Sequence, residues 1–440
     1  MINNFFKKKE IYLIFFWILL WLSINSHVTY LEYYNKNFLG KIYFLRTLLP
    51  IILTIVFATI ILILLIKKKN FLKNRKIFYN QSLYLFFTYY ILQIIGFYQN
   101  KHLHIDLNNL YIIILSLGSL TIFVLTFFLN LEKLLKYYLF FSLIFIAIVT
   151  IISFGSRITQ INFENLNLYK SFNDFSENFI GEPNQRILGL SRMLAIINLA
   201  VIVLVFSKKK INKLATTIFI IISTLLIFIM QSRGTIICFF ISSLFLYFFL
   251  TKNLDYKKIL YLILFLLSFF AIMHVFFSKI SLTDNNIYKN RIFTIHDTSG
   301  RISLWKEAIK IYNPKIIFGY GPQADRILLN NTEEAKNYGN NVSNAIIYSF
   351  LSGGYLSVIL FIIIYLKIIY LFSKIIKYKK KILAQENISL KISLSYLIFF
   401  VIRSFVENSF ATFGVDFLLT LVSLVISEES LRKIKYINYK

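Results

Sequence analysis

Long apolar runs separated by short polar connections dominate the chain. They fall near residues 11–25, 42–66, 82–98, 110–129, 137–153, 187–206, 214–230, 234–250, 259–277, 344–366, 392–408 and 413–427. Crossing about 30 Å of hydrocarbon takes about 20 residues at ~1.5 Å rise, so the pattern predicts about twelve transmembrane helices and an all-α, polytopic membrane protein. The first run follows Lys7, Lys8 and Lys9, as in a signal peptide, but no small-residue cleavage site follows Trp21, Asn25 and His27; a retained signal anchor is expected. Two connections are long and polar, 154–186 and 278–343. The chain is accordingly divided into 1–153 with helices one to five, 154–277 with a loop and helices six to nine, the large loop 278–343, and 344–440 with the last three helices and a tail.

The large loop has a pattern of its own. From Arg301 to Tyr312 the apolar residues Ile302, Trp305, Ile309 and Tyr312 recur at helical spacing, with Lys306, Glu307 and Lys310 between them. Ser299 is placed to cap the run and Pro314 to stop it. A short amphipathic helix on the membrane surface is predicted. The turn Gly319-Tyr320-Gly321-Pro322 and an Asn-rich stretch then lead to the run that begins at Asn344.

Composition agrees with the pattern: 58% hydrophobic, 15% charged and a mean hydropathy of +0.68 exclude a string of soluble domains. Few Pro and Gly argue against flexible linkers, and the single Cys238 excludes a disulfide framework or thiolate metal site. Charge changes the picture more. In a soluble protein a net +28 would suggest nucleic acid, but in a membrane protein the side on which each charge lies matters. Alternate connections, with both termini, hold 29 basic and six acidic residues, against 19 basic and 14 acidic on the other side. The positive-inside rule places the first set, and both termini, in the cytoplasm. Runs such as Lys67-Lys68-Lys69 and Lys208-Lys209-Lys210 then orient the chain and touch anionic lipid rather than nucleic acid.

The cytoplasmic connections are too short to house a nucleotide-binding domain, whereas both long loops face outward. Functional loops tend to be long, so the chemistry is expected outside. Nucleotide sugars are absent there, and a substrate would have to be activated beforehand, for example on a lipid carrier.

Six arginines, Arg157, Arg186, Arg192, Arg233, Arg301 and Arg403, stand at or near outer helix ends, where topology disfavours them. Gln231-Ser232-Arg233-Gly234 is so tight a connection that Arg233 must lie between two helix ends. Arg301 opens the surface helix against the macrodipole preference, and a guanidinium beside free helix N–H groups makes an anion site. The plainer alternatives are snorkelling to lipid phosphates or pairing with Glu182, Asp297 or Glu407. Arg403 and Glu407 are four apart, expected on one helical face, either as a functional couple or as a packing ion pair. Glu182-Pro183-Asn184 puts a carboxylate and an amide where the chain turns into the membrane; capping alone would explain Asn184. His102 and His104 beside Asp106 read as a solvated loop. No outer Asp-x-Asp, G-x-S-x-G, H-E-x-x-H or P-loop is present, so neither metal nor cofactor is expected.

Ser232-Arg233-Gly234 opening a span, Gly300-Arg301 leading to Trp305, the Phe318-Gly319-Tyr320-Gly321-Pro322 turn, and Asn344 before Gly353-Gly354 together resemble the O-antigen ligase and Wzy-type O-antigen polymerase family. Glu182-Pro183-Asn184 and Arg403 with Glu407 are similar to it as well, so the resemblance covers roughly residues 180–425. It implies a GT-C-like glycosyltransferase of the bacterial inner membrane, facing the periplasm and using undecaprenyl-diphosphate-linked oligosaccharide. A chain-length regulator and a flippase are the implied working partners, besides the lipid bilayer. Ligases of the family usually carry a His just before the Asn that starts the span after the long loop; here that position is Ser343, which favours the polymerase branch. The diphosphate is assigned to Arg233 and Arg301, helped by Arg186, Arg192 and Arg403. Glu182 or Glu407 is assigned as base or acceptor-positioning group, and Asn184, Trp305, Tyr320 and Asn344 to the glycan or the loop. A ligase acting on lipid A core or another acceptor is the alternative, and a polysaccharide-unit flippase or transporter the alternative from another class.

Overall fold

The computed structural model describes residues 80–104, 130–155, 188–206, 213–229, 232–250, 301–313, 317–334, 341–384, 387–412 and 414–436, with the single positions 56 and 59. Glu182, Asn184, Arg186 and the expected runs 11–25, 110–129 and 259–277 lie outside them, as does the run 42–66 apart from those two positions. Among the described residues all regular structure is helical. In chain order the helices are α1 (Gln81–Gln99), α2 (Leu131–Gly155), α3 (Leu188–Val205), α4 (Lys213–Ile229), α5 (Arg233–Leu250), α6 (Arg301–Ile311), α7 (Ala324–Leu329), α8 (Ala345–Lys377), α9 (Lys379–Ala384), α10 (Ile388–Arg403) and α11 (Val415–Tyr436), with a 3-10 turn at Lys101–His104.

Each expected run within the described residues coincides with a helix, but their ends differ. α2 starts at Leu131 because Asn130 Oδ1 accepts the amides of Glu132 and Lys133, at 3.1 and 3.2 Å, which caps the helix ahead of its apolar stretch. α8 and α11 continue beyond their apolar stretches through Lys, Glu and Arg, which are good helix formers. α10 ends at Arg403 rather than near 408. Among the described residues one helix, α8, is long and apolar enough to cross a membrane, with 33 residues and an 18-residue stretch of mean hydropathy 2.4; Ser191–Val205, Leu214–Ile227 and Gly234–Leu250 are shorter apolar stretches.

α1 and α10 run opposite to α3, α5, α8 and α11. At one end of the bundle Asn100 Nδ2, just after α1, donates to Gly319 O (3.0 Å), Ala345 N at the start of α8 donates to Ser404 O after α10 (2.9 Å), and Arg192 of α3 pairs with Asp416 of α11 (2.8 Å). At the opposite end Ser82 Oγ and Lys367 Nζ both contact Glu428 Oε1 at 2.7 Å, and Lys379 Nζ reaches Phe248 O at 2.7 Å. These six directions agree with the odd or even place of each run in the expected series.

The described residues between 301 and 342 are seated at the first of these ends by their own core. Leu304, Ala308 and Tyr312 of the α6 segment pack with Ala324, Leu329, Val342, Tyr348 and Leu351. The buried stripe of α6 is thus Leu304-Ala308-Tyr312, while Ile302 and Ile309, expected on the same face as Trp305 and Tyr312, point outward. Spacing alone could not distinguish the two stripes, since both repeat at helical intervals. Between α6 and α7 the turn Gly319-Tyr320-Gly321 enters a break in α8 at Gly354, whose φ is +66. Tyr320 N donates to Leu351 O (2.8 Å) and Gly321 N to Ser352 O (2.9 Å), satisfying carbonyls at the broken turn. Glycine is needed on both sides of this contact. A Cβ on Gly319 would stand 2.5 Å from Gly354 N, and one on Gly354 would overlap the Ile317 carbonyl.

A candidate anion site at one end of the bundle

Arg301 is held by two contacts from the chain just after α10. Its Nη1 donates to Val406 O at 2.8 Å, and its Nη2 meets Glu407 Oε1 at 3.3 Å. The guanidinium keeps 24% of its side chain exposed and Glu407 keeps 14%, so the pair is within reach of a ligand. The start of α5 closes the third side, for Gly234 packs against Val406 and a Cβ there would lie 3.9 Å from Glu407 Oε1. α5 begins at Arg233, and its first chain-return bond is Ile236 N to Ser232 O, 3.0 Å. The Ser232 hydroxyl, which would ordinarily accept one of the leading amides, instead donates to Thr235 Oγ1 (2.8 Å). The positive end of a helix and a guanidinium therefore meet around one carboxylate, a natural place for an anion.

Arg192 and Arg403 are committed differently. Both reach Asp416, in the first turn of α11: Arg192 Nη1 at 2.8 Å from one oxygen and Arg403 Nη1 in a short contact with the other. Arg403 is 4% exposed and Asp416 2%. The expected Arg403–Glu407 couple does not form as a pair, because α10 ends at Arg403 and turns the following residues toward α6. Glu407 goes to Arg301, and Arg403 to Asp416.

Asn344 and Trp305 build the frame. Asn344 Oδ1 caps α8, accepting from Ile346 N (2.9 Å) and Ile347 N (3.2 Å), and its Nδ2 donates to Phe405 O (3.2 Å), so the start of α8 is tied to the strand of chain that presents Glu407. Trp305 Nε1 donates to Val342 O at 2.6 Å. Tyr320 is buried, its hydroxyl accepting from Asn313 N (3.0 Å). Ser343, before Asn344, has a φ of +47. His102 is exposed in the 3-10 turn, and Cys238 is buried.

Residues 217–362 match the family model described as O-antigen ligase. The chain carries an O-antigen ligase family domain there. That domain contains Arg233, Arg301, Trp305, Tyr320, Asn344 and the α8 break, about a third of the chain; Glu407 and Asp416 come to it from outside. No curated protein matches the chain. The family domain supports a function of the O-antigen ligase or polymerase type in general and, with the apolar helix, points to a membrane protein.

Two carboxylates escape notice in the sequence. Asp416 had a signal, an acid at the start of an apolar run. Asp325 in α7 had none, since only the fold buries it to 2%. One of its oxygens accepts from Val342 N (3.3 Å) while the other has no hydrogen-bond partner, and burial pushes its carboxyl above the usual range. Through Val342 it steadies the segment that leads to Asn344.

Proposed function

We propose that this protein is a polysaccharide polymerase of the inner membrane that moves a growing glycan from undecaprenyl diphosphate to a lipid-linked repeat unit, on the periplasmic side and without a metal ion. About twelve membrane helices in a GT-C-like arrangement, with cytoplasmic termini, complete this reading. The observation that carries it is the meeting of Arg301, the start of α5 and Glu407 at one end of the bundle, within and beside the family domain. A lipid diphosphate is already a good leaving group, so the protein's task is to hold it, neutralise its charge and align an acceptor hydroxyl. Arg301 and Arg233 are assigned to the diphosphate. Arg192 and Arg403 act from behind, because their shared carboxylate leaves one net positive charge beneath the site; Arg186 is the remaining helper. Glu182 or Glu407 takes the proton, and Asn184, Trp305, Tyr320 and Asn344 shape the glycan side.

Arg233→Ala and Arg301→Ala should each abolish polymer while leaving protein level and single-unit lipid-linked glycan intact. A full-length polymer ladder in both variants would sink the assignment. The ligase reading is favoured by the description of the matching family, and the glycan profile of a deletion strain separates the possibilities: single units for a polymerase, uncapped polymer for a ligase, cytosolic accumulation for a flippase.

A further inference from the structure

Glu407 stands where Arg301 meets the start of α5. Its carboxylate meets Arg301 Nη2 at 3.3 Å, lies beside Gly234 in the first turn of α5, and projects from a turn rather than from a helix. Contact with Arg301 is through one oxygen and longer than the 2.7–2.9 Å of a good charge-assisted bond, while Arg301 is anchored independently by Val406 O at 2.8 Å. The guanidinium therefore stays in place whether or not Glu407 remains on it. Arg403, another cation among the described residues, is taken by Asp416.

We infer that Glu407 is an exchangeable counter-ion, a carboxylate that fills the anion site until the lipid diphosphate displaces it and that then serves as the base for the acceptor hydroxyl. This rests on the transferase reading above. A phosphate binds a guanidinium by two parallel bonds and outcompetes a single-oxygen carboxylate. Once displaced, Glu407 is an unpaired carboxylate beside the reacting centre. The acceptor oxygen forms its bond to the anomeric carbon, the bond from that carbon to the diphosphate oxygen breaks with its electron pair leaving on the diphosphate, and the hydroxyl proton passes to Glu407. Before the donor arrives the base is occupied, so the order is donor first and acceptor second, which guards against unproductive use of the acceptor.

The test uses the full chain in lipid nanodiscs, with undecaprenyl diphosphate as the binding probe and transfer from a lipid-diphosphate repeat unit as the second readout. Glu407→Gln should bind undecaprenyl diphosphate about fivefold more tightly, since the competing charge is gone, while transfer falls about 100-fold or more. Tighter binding also reports that the variant is folded. Weaker binding by Glu407→Gln, or transfer at the wild-type rate, overturns the inference while leaving the transferase reading intact. If the wild-type protein itself neither binds undecaprenyl diphosphate nor transfers glycan, the reading beneath it fails and the inference goes with it.

Discussion

Asp416 accepts Arg192 and Arg403 together in a buried position. Removing a carboxylate from such a set leaves like charges facing each other away from water, a change that typically costs about 3–5 kcal/mol. Asp416→Asn is therefore expected to lower the melting temperature in detergent strongly, and replacing Arg403 by Met in the same chain should recover part of the loss; a melting curve of each variant checks this. Asp325 predicts a pH dependence. Its folded-state carboxyl is raised by burial, so its stabilising contribution is complete below the unfolded value of about 4 and is lost as pH rises through the folded value. Asp325→Asn should flatten that fall in melting scans across the acidic range, because the amide keeps an acceptor for Val342 N without a charge to bury. At this scale Arg301 was legible, since a cation at a helix start contradicts the macrodipole preference, whereas Asp325 was not, since nothing local marks a carboxylate that distant packing will cover.

α8 shows how far an element can be read from its apolar run. Its existence and start follow from hydropathy and from Asn344 as cap. Its break does not, because Gly353-Gly354 needs a partner before it has a reason to open, and that partner is the turn at Gly319-Tyr320-Gly321. Gly354→Ala and Gly319→Ala should each destabilise the protein. The left-handed conformation costs about 1–2 kcal/mol, and overlap with Ile317 O or Gly354 N adds to it. Reduced folded yield and a lower melting temperature are the measurements. α6 teaches the same lesson, for two stripes fitted helical spacing and only the neighbouring α7 and α8 select Leu304-Ala308-Tyr312 for burial.

For the molecule as a whole, the directions of α1, α3, α5, α8, α10 and α11 agree with the order of the expected runs, and which end faces outward is open to a direct measurement. In a Cys238→Ser background, Ile302→Cys at the site end and Lys380→Cys at the other, both at exposed positions, should differ in labelling of intact spheroplasts by a membrane-impermeant maleimide. Ile302→Cys should label and Lys380→Cys should not; the reverse would invert the topology and move the site to the cytoplasm. The approximate position of each described apolar helix was present in a local quantity, the length of apolar runs, because lipid imposes it residue by residue. The pairing of arginines with acids was not. Glu407 follows Arg403 by four residues and yet belongs to Arg301, more than a hundred residues away, because the end of α10 and the seating of α6 are settled by packing between elements, and an ion pair forms only where that packing delivers its two halves.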